Sequence, residues 1–131
     1  MPRILIAEDM PDIAEILRMG LTHRGFEVIV AIDGEAALAA ALGRDIDLAI
    51  LDVHMPKMSG TQVLQRIRAA ALPRHLPVIM LTADPSKDEH ARGVQAGADG
   101  YCIKPFRMAD IIRLIESLLQ RPATGTATPT P

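Results

Sequence analysis

The chain has 131 residues, 49% of them hydrophobic, which suits one domain with a continuous core and is too short for two ordinary domains. Its formal net charge of -2 gives no broad positive field, so nucleic acid is not expected as a direct partner. The first residues lack the apolar length of a secretory signal, and no stretch is long enough to span a membrane, so a cytoplasmic protein is expected. A lone cysteine, Cys102, excludes an internal disulfide and is expected to be a small buried strand residue.

Five short apolar runs alternate with longer helical patterns along the chain. The predicted strands cover residues 3–7, 26–31, 47–51, 77–82 and 99–103. The first, third and fourth runs are apolar almost throughout, which is typical of parallel strands that are covered on both faces. Helices must then lie on both sides of the sheet, and a βα unit repeated five times is the simplest account.

Two of the predicted helices have a clear apolar face. The first face comprises Ile13, Ile16, Leu17, Gly20 and Leu21, and the last comprises Met108, Ile111, Ile112, Ile115, Leu118 and Leu119. The middle helices, over 34–42, 60–70 and 86–96, are predicted from alanine content, which favours helix without marking a buried face.

Proline and glycine mark the expected helix ends. Pro11 fits the first turn of the first helix, and Gly25, Gly43 and Gly97 stand where a left-handed residue would end a helix. Residues 122–131 contain no leucine, isoleucine or valine. We therefore expect a domain over 1–121 and a disordered tail over 122–131, which could instead begin a linker.

Acidic residues stand at the ends of two predicted strands. Glu8 and Asp9 follow the first strand, and Asp52 follows the third. The carboxyl ends of parallel strands share one edge of a sheet, where ligands bind, so the three carboxylates converge if these strands are neighbours. Two like charges about 4 Å apart cost on the order of 4 kcal/mol at an effective dielectric near 20, so such a cluster needs a cation, a proton or greater separation. Magnesium suits it, because this ion accepts a few carboxylate oxygens and bridges to phosphate.

A hydroxyl and an ammonium are predicted at the same edge. Thr82 ends the fourth strand, and Lys104 follows the fifth. Together with a metal they would hold a tetrahedral anion on Asp52, whose carboxylate can attack phosphorus to give an acyl phosphate. Each residue alone also has an ordinary structural interpretation, as a turn former, a helix cap or a solvated side chain. Their joint placement favours function.

The order and spacing of these residues match a known pattern. The matching segments are Glu8-Asp9, Asp52-Val-His-Met-Pro56 followed by Ser59-Gly60, Leu81-Thr82-Ala83, and Gly100-Tyr101-Cys-Ile-Lys104-Pro105-Phe106. The sequence closely resembles the response-regulator receiver family over about residues 1–121. This resemblance implies a flavodoxin-like α/β fold, a doubly wound (βα)5 parallel sheet with strand order 2-1-3-4-5.

The resemblance also implies the chemistry of the site. Asp52 would accept a phosphoryl group from a sensor histidine kinase or a phosphotransfer protein. Asp9, Asp52 and the main-chain carbonyl of His54 would bind Mg²⁺, with Glu8 acting through water. Lys104 would pair with the phosphate.

A conformational switch is implied next to the acceptor. Thr82 would move toward the phosphoryl group and Tyr101 would turn inward, although Tyr101 could also be an ordinary half-buried strand aromatic. The Lys104–Pro105 peptide bond would be cis. His54 and Asp84 occupy the two positions that tune the lifetime of the phosphate in this family.

Three alternative functions are considered for a chain with these residues. The leading one is a stand-alone signalling switch that presents a changed surface to a protein target or a second copy, through the fourth helix, fifth strand and fifth helix. It is not expected to be an enzyme beyond its own phosphorylation and dephosphorylation. The alternatives are an aspartyl-phosphate phosphohydrolase, which would need a general acid and a capping insertion, and a flavodoxin-like cofactor carrier. The acidic loop after the first strand would repel the phosphate of such a cofactor.

Overall fold

A computed structural model describes residues 2–43, 45–83 and 97–119, which build one five-stranded parallel sheet. The strands are β1 (Arg3–Ala7), β2 (Glu27–Ala31), β3 (Leu48–Asp52), β4 (Val78–Thr82) and β5 (Gly100–Ile103). Their spatial order is β2-β1-β3-β4-β5. The predicted flavodoxin-like α/β fold is confirmed.

Four helices lie within the described ranges. They are α1 (Pro11–His23), α2 (Gly34–Gly43), α3 (Gly60–Ala69) and α4 (Met108–Leu119). The helix predicted over 86–96 lies outside the described residues, so the C-terminal helix, the fifth in the prediction, is named α4. Of the described helices, none has the length and apolar character to cross a membrane.

The sheet separates two apolar cores, because neighbouring residues of a strand point to opposite faces. Leu5, Leu51 and Met80 pack on the side of α2 and α3, whereas Ile6 and Ile50 pack on the side of α1 and α4. All five residues of β3 and all five of β4 are buried. The expectation that helices cover both faces is therefore confirmed, and the polar residues of β3 and β4, Asp52 and Thr82, stand at the carboxyl ends of these strands.

Several local predictions need correction. Asp52 is the last residue of β3 rather than the residue after it, because its Cα is still in register with Leu81 of β4. Ile16 is 53% exposed, since the buried stripe of α1 runs instead through Ala14, Leu17 and Leu21. Gly25 has the predicted positive φ of 94°, whereas Gly43 is the last residue of α2 and has none.

Other predictions of local structure are confirmed. Pro11 lies in the first turn of α1, Gly97 has a positive φ of 100°, and the Lys104–Pro105 bond is cis. Cys102 lies in β5 as expected but is half-buried rather than buried, in the core beside α1 and α4, where burial, and secondarily the nearby Asp110 carboxylate, raises the pKa of its thiol.

The amino ends of β4 and β5 are joined by a polar network that the sequence did not reveal. The Arg68 guanidinium of α3 donates to the carbonyl of Gly97, to the carbonyl of Leu76 and to the carboxylate of Asp99. Asp99 also accepts a hydrogen bond from the N–H of Val78 at 2.9 Å. These bonds fix the two strand ends to α3 at the amino edge of the sheet, opposite to the edge that carries Glu8, Asp9 and Asp52.

Candidate functional site

The acidic residues converge at the carboxyl edge of the sheet because β1 and β3 are neighbours. Leu51, just before Asp52, is in register with Ala7, just before Glu8. One carboxylate oxygen from each of Glu8, Asp9 and Asp52 lies within 4.8 Å of the others. Glu8 is 1% exposed and Asp52 is 4% exposed, whereas Asp9 is half-buried. The sheet therefore brings together the three carboxylates that the sequence placed at separate strand ends.

Lys104 contributes the positive charge of this cluster. Its Nζ donates to Asp52 Oδ2 at 3.2 Å and lies 3.0 Å from Glu8 Oε1. The second contact is an ion pair by distance but lacks hydrogen-bond geometry, so Glu8 Oε1 is a buried oxygen without a hydrogen bond in the described structure. The sequence predicted Lys104 beside the acceptor but missed its contact with Glu8, because only the tertiary arrangement brings their side chains together.

The charges of the cluster do not balance, since one ammonium faces three carboxylates. Burial, together with the nearby Asp52 carboxylate, raises the pKa of Glu8 to about 7 in spite of Lys104. Burial alone would lower the pKa of Lys104, but its contacts with Glu8 and Asp52 outweigh this effect and raise it. The effect of Asp52 on Glu8, and of both carboxylates on Lys104, is the one expected where negative charge is in excess. A set of hard oxygen donors with excess negative charge and one oxygen without a hydrogen bond fits a divalent cation such as Mg²⁺.

Thr82 and Tyr101 come from β4, the neighbour of the Asp52 strand, and from β5, the next strand in the sheet. Thr82, the last residue of β4, is fully buried, and its carbonyl accepts a hydrogen bond from the Lys104 N–H at 2.7 Å. Tyr101 is half-buried and packs against the core beside α2 and α3, opposite Met80 of β4. Because Met80 and Thr82 are two residues apart, their side chains share the face of the sheet on which Tyr101 packs. The Thr82 hydroxyl and the Tyr101 ring therefore lie on the same face of the sheet, near its carboxyl edge.

The loop after β3 lies against Asp52. The N–H of His54 donates to Asp52 Oδ1 at 3.2 Å, and the His54 side chain is exposed. The loop ends where the N–H of Gly60, the first residue of α3, donates to the carbonyl of Val53 at 2.8 Å. A Cβ on Gly60 would lie closer than 3.0 Å to the main-chain carbonyl of Asp52. Only glycine allows α3 to approach the end of β3 this closely.

We therefore expect Gly60→Ala to destabilise the fold by about 2–3 kcal/mol, the cost of forcing an atom into a filled space. The atoms that this Cβ would meet belong to the backbone of Asp52 and Val53, so the backbone itself must shift. The matched control is Gly43→Ala, because a Cβ there meets nothing within 4 Å and Gly43 is helical. This control should keep or raise the free energy of unfolding, by up to about 1 kcal/mol. Urea unfolding of both variants measures the difference, and equal stabilities would contradict the proposed backbone contact.

Comparison with known proteins identifies the family. Residues 4–116 match the family described as the response regulator receiver domain. The chain belongs to the response-regulator receiver family. Receivers are phosphoacceptor switches rather than conventional enzymes. Family membership thus favours the leading interpretation of the sequence over the phosphohydrolase and the flavodoxin-like carrier.

Curated relatives of this receiver are transcriptional regulators. The chain is 39% identical over 120 residues to the transcriptional regulatory protein PrrA of Mycobacterium tuberculosis, which covers 92% of the chain and 51% of the relative. It is 39% identical over 119 residues to the transcriptional regulatory protein QseB of Haemophilus influenzae, covering 91% of the chain and 53% of the relative. The receiver chain thus spans about half the length of the curated relatives it matches.

Solved receiver structures superimpose closely on this one. The receiver domain of the Francisella response regulator 1452 matches with a TM-score of 0.86 and 29% identity, covering 92% of this chain and 98% of that one. The response regulator TrrA of Thermotoga maritima, solved in complex with Mg²⁺ and BeF, matches with a TM-score of 0.80 and 34% identity. That match covers 90% of this chain and 99% of TrrA.

Proposed function

We propose that this receiver is a phosphorylation switch in which Asp52 accepts a phosphoryl group from a sensor histidine kinase or a phosphotransfer protein. The observation that carries the proposal is the pairing of a buried Asp52 carboxylate with the Lys104 ammonium at 3.2 Å, within a cluster of three carboxylates. A carboxylate in this setting can act as a nucleophile toward phosphorus. The relative TrrA, which was solved with Mg²⁺ and BeF, supports the assignment.

Asp9, Asp52 and the main-chain carbonyl of His54 would hold Mg²⁺, with Glu8 supporting it through water. The ion supplies charge neutralisation for the phosphoryl oxygens. In the transfer, an Asp52 oxygen forms the new bond to phosphorus while the bond from phosphorus to the donor nitrogen breaks. The donor imidazole keeps the electron pair of that bond. Lys104 is already within reach of Asp52 and would stabilise the added negative charge.

Movements of Thr82 and Tyr101 would convert the added charge of the phosphoryl group into a change in the protein's surface. The Thr82 hydroxyl would donate to a phosphoryl oxygen, and the Tyr101 ring would turn toward the space that Thr82 leaves. Their position on one face of the sheet supports this coupling, because the two side chains then share one packing environment. A partner protein would recognise the resulting state at the surface formed by β5, α4 and the helix predicted over 86–96.

The partners of this surface would be proteins, either a target or a second copy. The longer relatives are named as transcriptional regulators, and that activity belongs to those proteins. A direct contact of this chain with nucleic acid is not proposed, since its net charge is -2. The domain limits of 1–121 and 122–131, the cytoplasmic location, and the effect of His54 and Asp84 on phosphate lifetime stay predictions. Asp84 lies outside the described residues.

The function is tested by incubating the full chain with acetyl phosphate, with and without Mg²⁺, and measuring its intact mass. One phosphoryl group should be added, only in the presence of Mg²⁺, and fragmentation should place it on Asp52. An unmodified mass at every Mg²⁺ concentration would overturn the proposal.

The metal site makes a separate prediction. Asp9→Asn should weaken Mg²⁺ binding by at least roughly tenfold, because it removes a charged oxygen ligand and leaves a neutral amide. Calorimetric titration with Mg²⁺ measures the affinity. The matched control is Asp45→Asn, which also removes one negative charge but from a side chain that is 91% exposed. Equal affinities for the two variants would remove Asp9 from the metal site.

A further inference from the structure

The loop between β3 and α3, residues 53–59, contains a strained turn. Lys57 has a φ of 69°, in the left-handed region that side chains with a Cβ disfavour. The N–H of Met58 donates to the carbonyl of Pro56 at 2.7 Å and closes a three-residue γ-turn around Lys57. Because lysine does not favour this conformation by itself, neighbouring groups must hold the turn closed.

The turn between β2 and α2 supplies those groups. Lys57 Nζ lies 3.5 Å from Asp33 Oδ2 and 3.7 Å from Glu35 Oε1. The N–H of Gly34 also donates to the carbonyl of Pro56 at 3.3 Å. A Cβ on Gly34 would lie closer than 3.0 Å to the carbonyl of Met58, so glycine allows the two turns to meet. The β2–α2 turn therefore contacts the strained turn through both its backbone and its acidic side chains.

Asp33 is well placed to act as a fixed anion. Its Oδ1 accepts a hydrogen bond from the N–H of Ala36 at 2.8 Å, in the first turn of α2. This bond, with a smaller contribution from Lys57, holds the pKa of Asp33 below its usual value. A charged Asp33 thus caps α2 and attracts Lys57 at the same time.

The other end of the loop lies at the phosphoacceptor. His54 donates its N–H to Asp52, and Lys57 follows His54 closely in the same loop. We propose that Asp33 and Glu35 act as positioning residues, because their hold on Lys57 keeps the strained turn closed and the His54 carbonyl at the metal site. This inference rests on the proposed function, in which that carbonyl binds Mg²⁺.

Substitutions of Lys57 distinguish the effect of its ion pairs with Asp33 and Glu35 from the effect of backbone strain in the turn. Lys57→Ala removes the ion pairs but keeps a Cβ, so the turn is strained and no longer held. We expect its Mg²⁺ affinity to be about three- to tenfold weaker, somewhat less than the roughly 10–100-fold typical of losing a direct partner of a metal ligand. Lys57→Gly also removes the ion pairs, but glycine adopts the left-handed conformation readily, so its affinity should stay close to that of the original chain. Lys57→Arg keeps the charge and should also retain the affinity.

The comparison of alanine with glycine excludes a simple effect of charge. Both variants lose the same positive charge, which by electrostatics alone would strengthen Mg²⁺ binding equally in both. Asp33→Asn, which can still cap α2, should weaken binding in the chain with Lys57 but not in the chain with Lys57→Gly. The positional control is Ala71→Gly, because Ala71 also has a positive φ, of 53°, and lies in the α3–β4 connection. It should leave Mg²⁺ affinity unchanged.

The affinities are measured by calorimetric titration of the full-length chain with Mg²⁺, after urea unfolding has shown each variant to be folded. Equal Mg²⁺ affinity for Lys57→Ala and Lys57→Gly would overturn the inference. If the unaltered chain itself binds no Mg²⁺, the proposed function fails rather than the positioning role alone. The two failures are therefore distinguishable in one set of titrations.

Discussion

Replacing Asp52 by asparagine is expected to abolish Mg²⁺-dependent phosphoryl uptake from acetyl phosphate. The carboxamide is nearly the same size but has no negative charge, and its oxygen is a poor nucleophile toward phosphorus. It would also replace the charged partner of Lys104 at 3.2 Å with a neutral amide and remove one of the three carboxylates of the cluster. No other carboxylate in the described structure combines contact with Lys104, a hydrogen bond from the loop after β3 and a place at the end of a central strand.

Intact mass after incubation with acetyl phosphate gives the result directly. Asp45→Asn serves as the control, since it makes the same chemical change on an exposed side chain and should still gain one phosphoryl group. Circular dichroism checks that both variants are folded. A phosphoryl adduct that persists at equal yield in Asp52→Asn would show that another residue is the acceptor.

A second large effect is expected from replacing Glu8, and it can be measured without any phosphoryl donor. Glu8→Gln should stabilise the Mg²⁺-free protein at pH 8 by about 1–3 kcal/mol, because it removes a buried charge that Lys104 compensates only in part. The pKa of Glu8 is about 7 in the fold against 4.5 for the unperturbed group, so the folded state binds the proton more tightly. The stability due to this proton is complete below pH 4.5 and is lost as the pH rises through about 7. The advantage of the Glu8→Gln variant should therefore be small at pH 5 and largest at pH 8.

Urea unfolding in EDTA at pH 5 and pH 8 measures this difference. Adding Mg²⁺ at pH 8 should reverse the order, because the ion stabilises the original chain by binding its folded state and binds the variant more weakly. Glu15→Gln is the control, since Glu15 is exposed and its Arg18 partner lowers its pKa. The idea fails if Glu8→Gln is no more stable than the original chain at pH 8, or if its advantage does not depend on pH.

The sequence was sufficient for the fold because its signals agree with one another. Apolar runs without alternation predicted buried parallel strands, and the acids at their ends predicted a polar edge, which the neighbouring β1 and β3 bring together. Periodicity was less reliable at single positions. Ile16 matched the apolar face of α1 by spacing, yet the sheet covers only a narrow stripe of that helix, so Ile16 stays exposed.

The contacts that tune the site could not be predicted, because they join residues far apart in the chain. The approach of Lys104 to Glu8 depends on where the loop after β5 places the side chain, and no local pattern encodes that position. The left-handed turn at Lys57 was equally hidden, since a lysine gives no signal for a positive φ. Such positions become visible only when the neighbouring turn that stabilises them is known.

The Arg68 network at the amino ends of β4 and β5 has a mechanical consequence. Asp99, immediately before β5, is held by Arg68, by the N–H of Val78 and by the ring of His75 at 2.8 Å. A strand secured at one end can pivot about that end but cannot slide along its neighbour. Any movement of β5 would then grow with distance from Asp99 and be largest at its carboxyl end, where Lys104 begins the following loop.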